Sequence, residues 1–387
     1  MNQIRILHVV GAMNRGGVET WLMNVLRNID RTQFHMDFLV HTQKPGAFDD
    51  EIRTLGSDVI PCLDPSRPWA YARQFRVALQ RRAPYDVVHS HVHHYSGFVL
   101  RLAHWQGVPV RIAHSHSDTS GVDQLAGVVR RQYFTLTKRW LARYATRRLA
   151  CSDNAGVALF GHGSTHQTHW LTLRCSIDLT PFQEQGNSQE ARRQLGIPPQ
   201  ALVIGHVGSF VRVKNHTFLI EVAAELTMRR PDVYFLLIGD GPLRANIEER
   251  IRERGLSHAM RSLGSRSDVA RLMTNVMDVL LFPSHYEGLP LVLLEAQAAG
   301  LPCVVSDIIT AEVDVVSRLV SRVGLQSSPA VWADAILATR GHKNPQTQHA
   351  ALATLLDSPY NILSAVRELQ QLYTSLANRH SHAIHHA

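Results

Sequence analysis

Two carboxylates stand eight positions apart in the stretch DVLLFPSHYEGLPLVLLEAQAAGLPCVVSD, residues 278–307. Glu287 lies in the polar turn PSHYEG, and Glu295 lies inside LVLLEAQAA, where nearly every neighbour is apolar. Burying a carboxylate on an apolar helix face is costly unless something hydrogen-bonds it. The stretch reads as strand, loop, helix, strand. Val279–Phe282 is a short apolar run bounded by a turn. Pro290 opens a helix, where its missing N–H costs nothing. The helix runs through Ala299, stops at Gly300 with Pro302 beyond it, and Cys303–Ser306 begins the next strand. Free amides at a helix start form an anion site. From Pro290 to Glu295 the rise is roughly 7.5 Å, at 1.5 Å per residue, comparable to the span from the diphosphate to the ribose of one nucleotide. The pattern therefore fits a nucleoside diphosphate laid along the helix. Its phosphates would take the amides near Gly288 and Leu289, its ribose hydroxyls would donate to Glu295, and hydroxyls of whatever the diphosphate carries would donate to Glu287. The plain alternative is a helix with Glu295 on a solvated edge.

Histidines form two further groups, HSHVHH (89–94) and HSHSD (114–118), each following an apolar run, 86–90 and 108–113, that reads as a strand. H-x-H on an extended segment puts both rings on one side, which suits metal binding, proton transfer or donation to hydroxyls. No acid or cysteine has ligand spacing to them, so no metal is expected. Cys62, Cys151, Cys175 and Cys303 are scattered without a C-x-x-C, which points to a reducing cytosol rather than a zinc or disulfide framework. Any single histidine reads equally well as a satisfied structural one. Near the start, a strand at 4–10 empties into GAMNRGGVET and a helix at 18–28. Such glycine-rich turns commonly approach phosphate. This one is neither a Walker loop nor a dinucleotide fingerprint, and a tight turn without a ligand is the alternative.

The whole string EGLPLVLLEAQAAGLP, with PS before it and a strand after it, resembles the E-x7-E signature of retaining GT-B glycosyltransferases of the large sucrose-synthase/mannosyltransferase family (family 4 type). Bacterial capsule and exopolysaccharide enzymes are abundant in that family. The resemblance extends over most of the chain and implies two Rossmann-like domains facing across a cleft. It places Gly16 and Gly17 at that cleft, near donor phosphate or acceptor, and a histidine, His114 or His116, on the donor sugar, with His91 a weaker candidate. The family's Gly-Arg pair and following Lys contact the donor diphosphate. Lys214 of SFVRVKNHTF matches the Lys, whereas the Arg position holds Ser209, and Arg212 is the substitute charge. The family's segment corresponding to 264–268 flanks the base. GDGPL (239–243) is common in the family. The family's Gly-rich loop after the last strand is replaced here by IITAEVDVVSRLV, which has no glycine.

The elements that must position these residues follow the same alternation. Strands are predicted at 36–40, 59–60, 149–152, 202–208 and 233–238, and helices at 48–55, 69–82, 328–337 and 360–376. That is the rhythm of βαβ units and a parallel sheet, with ligands beyond the C-terminal strand ends. The fold class is α/β. The polar stretch 181–200 reads as a linker plus a short helix. The domains are drawn at 1–185 (acceptor) and 186–358 (donor), with 359–387 crossing back as a helix plus a frayed His-rich tail. GDGPLR superficially resembles G-x-G-x-x-G, but it lacks the third glycine and has no acid about twenty residues on, which excludes nicotinamide binding.

The chain has 387 residues, of which 45% are hydrophobic and 19% charged, the profile of a soluble two-domain globular protein. No apolar run reaches the ~18 residues of a membrane span, and the N-terminus lacks a signal-peptide pattern. Net charge is +8; residues 1–190 hold 21 basic and 15 acidic residues, hence +6. No nucleic-acid motif accompanies that excess, which favours an acidic substrate or an anionic membrane surface. The stretch 128–149 has seven basic residues and no acid, and Val129, Tyr133, Leu136, Trp140 and Tyr144 fall near helical spacing. It reads either as a membrane-docking amphipathic helix or as a core helix with a solvated basic face.

The resemblance, with these features, implies a cytoplasmic retaining hexosyltransferase, either free or peripheral on the inner face of the membrane. Its donor is a nucleotide diphosphate sugar, a UDP-sugar by family analogy, and its acceptor a glycan or a lipid-diphosphate-linked glycan. No cofactor and no metal are expected, since D-x-D is absent from the sequence. The rivals are a nucleotide-sugar 2-epimerase on the same fold and a catalytically silent partner in a polysaccharide assembly complex.

Overall fold

The computed structural model describes residues 3–62, 65–82, 84–119, 127–161, 170–184 and 186–385, with side chains as far as residue 378. The tail read as frayed, 379–387, lies beyond the described side chains. The chain forms two compact units: Met1–Ser176 together with Ile362–Ala387, and Ile177–Asn361.

The first unit holds seven strands: β1 Ile4–Val10, β2 Phe34–Val40, β3 Val59–Pro61, β4 Val87–Ser90, β5 Val110–Ser115, β6 Arg147–Ala150 and β7 Leu171–Thr172. They form a parallel sheet in the order β3-β2-β1-β4-β5-β6-β7. The order reverses direction between β1 and β4, so the loops after these strands flank the switch point where open α/β sheets bind ligands. His8 of β1 lies in register with His89 of β4. The helix Ile362–His385 belongs to this unit and buries Ile362, Val366, Leu369 and Tyr373 at helical spacing.

The second unit has β8 Leu202–Val207, β9 Val233–Ile238, β10 Met260–Gly264, β11 Val279–Phe282, β12 Cys303–Ser306 and β13 Val320–Val323. These too are parallel, in the order β10-β9-β8-β11-β12-β13, with the switch point between β8 and β11. The strands are nearly continuous apolar runs because helices cover both faces. The polar stretch taken for a linker folds within this unit as a turn, Thr180–Phe182, and a helix, Ser188–Gln194, capped by the Asn187 side chain.

Several elements differ from the sequence reading. β6 spans Arg147–Ala150 rather than 149–152, because Ser152 is taken by the next helix, Asp153–Phe160, whose Ala155 amide donates to its hydroxyl. β5 runs to Ser115, so His114 is a strand residue. The helix Val128–Tyr144 buries Phe134, Thr137 and Leu141. The apolar residues singled out in sequence mostly face water instead: Val129 is 81%, Tyr133 40% and Leu136 44% exposed. The helix Pro345–Leu356 was not anticipated. Gly300, at φ +63°, packs its Cα against the Gln348 backbone, where a Cβ would come within 2.6 Å. This C-cap glycine both ends one helix and admits another.

Candidate functional site

In the second unit the sequence-predicted residues meet at the switch point. β8 runs into Gly208 and a turn, Arg212–Lys214, and Asn215 then takes the left-handed conformation before the helix His216–Arg229. β11 runs into the Glu287 loop. His285 N–H donates to Val213 O at 2.8 Å, and the Ser306 hydroxyl donates to Ser284 O at 2.6 Å, so the two loops are tied together and to β12. Lys214 Nζ donates to Glu287 Oε1 at 2.6 Å, with side chains 14% and 16% exposed. The ammonium also lies 4.8 Å from the centroid of the Phe282 ring. A charge pair this far from water sits in a medium where each partner strongly feels any third charge that arrives. Arg212 and Ser209 are exposed on the same loop.

Glycines set this geometry. A Cβ on Gly208 would stand 3.1 Å from Lys214 Cε, so the missing side chain leaves room for the lysine stem. At Gly239, φ is +142° and a Cβ would lie 2.0 Å from Gly208 O; at Gly241 it would meet the Phe210 backbone at 2.7 Å. Gly208 N–H donates to Ile238 O and Phe210 N–H to Asp240 O. The GDG string is thus a buttress beneath the lysine loop.

The helix Leu291–Ala298 starts behind Pro290, which is its N-cap rather than its first residue, and no side chain caps it. Gly288 and Leu289 are buried. The Leu291 and Val292 amides fall in the first turn, where no intrahelical acceptor exists. Glu295 is half-buried in this otherwise apolar helix. Burial pushes its pKa up from 4.5 to about 7, and neither a charge nor a hydrogen bond opposes that rise. Gln297, two residues on and so roughly on the opposite side of the helix, clamps the glycine-free segment: its Nε2 donates to Val313 O and its Oε1 accepts from Val316 N–H. Arg322 completes the clamp, with hydrogen bonds to Asp314 and to Thr310 O.

In the first unit, Gly16 caps the helix Gly17–Asn28. The Glu19 carboxyl curls over Gly16, where a Cβ would meet it at 2.3 Å, and burial raises the Glu19 pKa. Nothing lies within 4 Å of a Cβ placed on Gly17. His114 and His116 belong to a larger cluster with His8, His89 and His91. His8 Nδ1 and His91 Nε2 are 2.9 Å apart, His91 Nδ1 and His116 Nε2 are 2.8 Å apart, and Cys175 Sγ lies 3.4 Å from His116 Nδ1. The Tyr373 hydroxyl bonds His89 Nδ1 at 2.8 Å. Burial holds every ring far below the usual imidazole range, His8 and His116 at about 3, with neighbouring rings lowering His89, His91 and His114 further and a small opposing pull on His114 from the Leu173 backbone. His8, Trp21, Cys175 and Tyr373 were missed in sequence. They come from distant segments: His8 from β1, Trp21 from the helix Gly17–Asn28, Cys175 from the segment after β7 and Tyr373 from the last helix.

The two units, each a Rossmann-like parallel sheet, have the architecture of the GT-B fold. The chain belongs to the glycosyltransferases: residues 187–339 match the family described as Glycosyl transferases group 1, and residues 16–167 match the Glycosyl transferase 4-like domain. The putative glycosyltransferase EpsF of Bacillus subtilis (strain 168) is 38% identical over 375 residues, covering 96% of this chain and 97% of that protein. An Escherichia coli relative, UDP-Gal:alpha-D-GlcNAc-diphosphoundecaprenol alpha-1,3-galactosyltransferase, is 26% identical over 79% of this chain and 80% of its own length. Among solved structures, Anabaena Alr3699/HepE in complex with UDP-glucose superimposes with a TM-score of 0.78, covering 96% of this chain and 99% of that one at 17% identity, a likeness of fold. Among the described residues no helix is long and apolar enough to cross a membrane.

Proposed function

We propose that the protein transfers a hexosyl unit from a nucleotide diphosphate sugar, a UDP-sugar, to a glycan or lipid-diphosphate-linked acceptor in polysaccharide biosynthesis, with retention of anomeric configuration and without a metal. The observation that carries the donor site is Glu295, a half-buried carboxylate whose pKa burial alone raises, on a helix whose first turn no side chain caps. A ribose supplies the hydroxyls it lacks. The relatives' names supply the donor and acceptor classes: one uses UDP-Gal and a diphosphoundecaprenol-linked sugar.

In this reading the diphosphate rests on the amides at Leu291 and Val292 and on Lys214, with Arg212 as the added cation. As the glycosidic bond to the diphosphate breaks, negative charge grows on the leaving oxygen. A fixed ammonium and oriented amides stabilise that charge more than the ground state, which lowers the barrier. A protein cation in this position does the work that a divalent ion does elsewhere. The acceptor hydroxyl attacks on the leaving-group side, its proton passing to the departing diphosphate, and Glu287 holds the sugar hydroxyls. The protein works in the cytoplasm. The helix Val128–Tyr144 rests on the inner face of the membrane, where exposed Val128, Val129, Tyr133 and Leu136 alternate with Arg130, Arg131 and Arg139.

Calorimetric titration of UDP and GDP into metal-free wild type and Glu295→Ala tests the donor site. Micromolar UDP binding, lost in the variant, supports it; no binding of either nucleotide rejects it. NMR of the product reads the anomeric outcome, and an inverted linkage refutes retention. Co-sedimentation with phosphatidylglycerol vesicles tests the helix, and equal binding to neutral vesicles refutes the electrostatic part.

A further inference from the structure

We propose that the first unit binds one transition-metal dication of the Zn2+, Co2+ or Ni2+ class through His91, His114 and His116. The spacing of these residues in sequence gave no metal set; the fold assembles one from two strands. Their ligand nitrogens all lie within 4.8 Å of one another, and His91 is shared with a second such trio, His8, His89 and His91. A tetrahedral centre with bonds of about 2.0–2.1 Å places its ligand nitrogens roughly 3.4 Å apart. His91 Nδ1 and His116 Nε2 are already at 2.8 Å, and the His114 and His116 ring centroids at 4.0 Å. Small side-chain rotations bring the third nitrogen into the set.

Three features mark the cluster as a receptor rather than a packed core. First, Nε2 of His8 and Nε2 of His89 are buried without a partner, and the two ring nitrogens of His114 have only a long approach to the Leu173 backbone between them. Orphaned polar atoms of this kind are rare and costly, and a dication satisfies a lone pair. Second, the outer nitrogens of the other two ligands are held. His91 Nε2 faces His8 Nδ1, and His116 Nδ1 faces Cys175 Sγ. With hydrogens on those outer nitrogens, His91 Nδ1 and His116 Nε2 both turn their lone pairs inward, the arrangement seen around bound metals. Trp21 walls the site, its ring 5.4 Å from His114 and 5.7 Å from His116. Third, His91 and His116 are only half-buried and stand just past the ends of β4 and β5, so the cluster is not wholly closed off from water. An all-imidazole set selects Zn2+, Co2+, Ni2+ or Cu2+ over Mg2+ or Ca2+.

The site stands on the first unit's geometry and does not depend on the donor reading. The test uses the full chain in which His380, His382, His385 and His386 are changed to Ser, so that the His-rich end contributes no ligands. Co2+ is titrated in and followed by visible absorption and by metal analysis after gel filtration. One Co2+ per chain with the strong bands of a four-coordinate site, lost in His91→Ala and His116→Ala, is expected. No retained Co2+, or retention unchanged by both substitutions, overturns the proposal. Should the variants misfold, diethyl pyrocarbonate modification of the otherwise unaltered chain decides the matter. Zn2+ should protect His91 and His116 while Mg2+ does not, and equal modification with and without Zn2+ refutes the site.

Discussion

Replacing Glu295 by glutamine should stabilise the second unit at high pH while weakening its grip on nucleotide. The carboxyl belongs to a helix whose Leu291, Leu294 and Ala298 are buried, and burial raises its pKa from 4.5 to about 7. The folded state therefore holds this proton more tightly than the unfolded chain. Below pH 4.5 the acid is neutral in both states and the full stability is present. Between 4.5 and 7 the unfolded chain ionises first, so stability is lost as the pH rises, and above 7 the loss is complete. The interval corresponds to about 3 kcal/mol at 1.36 kcal/mol per pKa unit, an upper bound because the carboxyl keeps some exposure to water. Glutamine has nearly the same shape and no charge to desolvate. Urea unfolding of wild type and Glu295→Gln, run in parallel from pH 4.5 to 8.5, should show a difference that grows with pH in the variant's favour; other groups titrate alike in both and cancel. UDP affinity at pH 8 should fall by about 10–100-fold, the value of a hydrogen bond to a charged acceptor. A stability difference that is flat across the pH range would refute the reasoning, since the residue would then be solvated rather than waiting for a ligand.

Three further substitutions probe the two units, two of them in the second and one in the first. Lys214→Met should lower kcat by about 10²–10³-fold, the cost of removing one oriented charge from a transition state, with the circular dichroism spectrum unchanged; a loss under tenfold would remove the lysine from the mechanism. Gly239→Ala should destabilise the second unit by more than about 2 kcal/mol, because a Cβ would lie 2.0 Å from a carbonyl oxygen at φ +142°, and an unaltered melting temperature would contradict the buttress. Gly17→Ala has open space around its new methyl, so its melting temperature should match wild type; lowered transfer activity in that folded variant would show that a ligand approaches there, and full activity would show a plain turn.

What was legible in the sequence was local. The strand–loop–helix–strand unit around Glu287 and Glu295 announced itself because apolar runs, Pro290 and Gly300 each act within a few residues. The alternation of elements gave parallel sheets for the same reason. Lys214 was found through resemblance, but its 2.6 Å pairing with Glu287 joins loops after β8 and β11 that are 73 positions apart, and no periodicity encodes that. GDGPL was read against a dinucleotide fingerprint, and its glycines prove to answer a packing demand from Gly208 and Phe210. The basic helix shows the limit most clearly. Helical spacing marked Val129, Tyr133 and Leu136 as one face, but spacing cannot say which face packs against the helix Ser96–Trp105, and Phe134, Thr137 and Leu141 are buried instead. The histidine cluster needed register between β1, β4 and β5 as well as a tyrosine from the last helix.

The lysine–glutamate pair makes a last prediction that ties the two ends of the donor together. Without ligand, Glu287 neutralises Lys214 at 2.6 Å, and both are largely shielded from water. A diphosphate arriving at Lys214 must compete with a carboxylate already in place, and two anions near one ammonium repel each other. That repulsion is relieved when a sugar hydroxyl donates to Glu287, so the phosphate end and the sugar end of the donor are bound cooperatively. Bare UDP meets the repulsion without the relief. Glu287→Gln removes the competing charge and keeps an acceptor oxygen. It should therefore bind UDP more tightly than wild type does, by severalfold, while binding the UDP-sugar no better and transferring more slowly. Calorimetry with UDP and with the intact donor, on both proteins, measures the two effects separately. Weaker UDP binding by Glu287→Gln would mean that the carboxylate serves to hold Lys214 in position, and the coupling argued from the pair would fail.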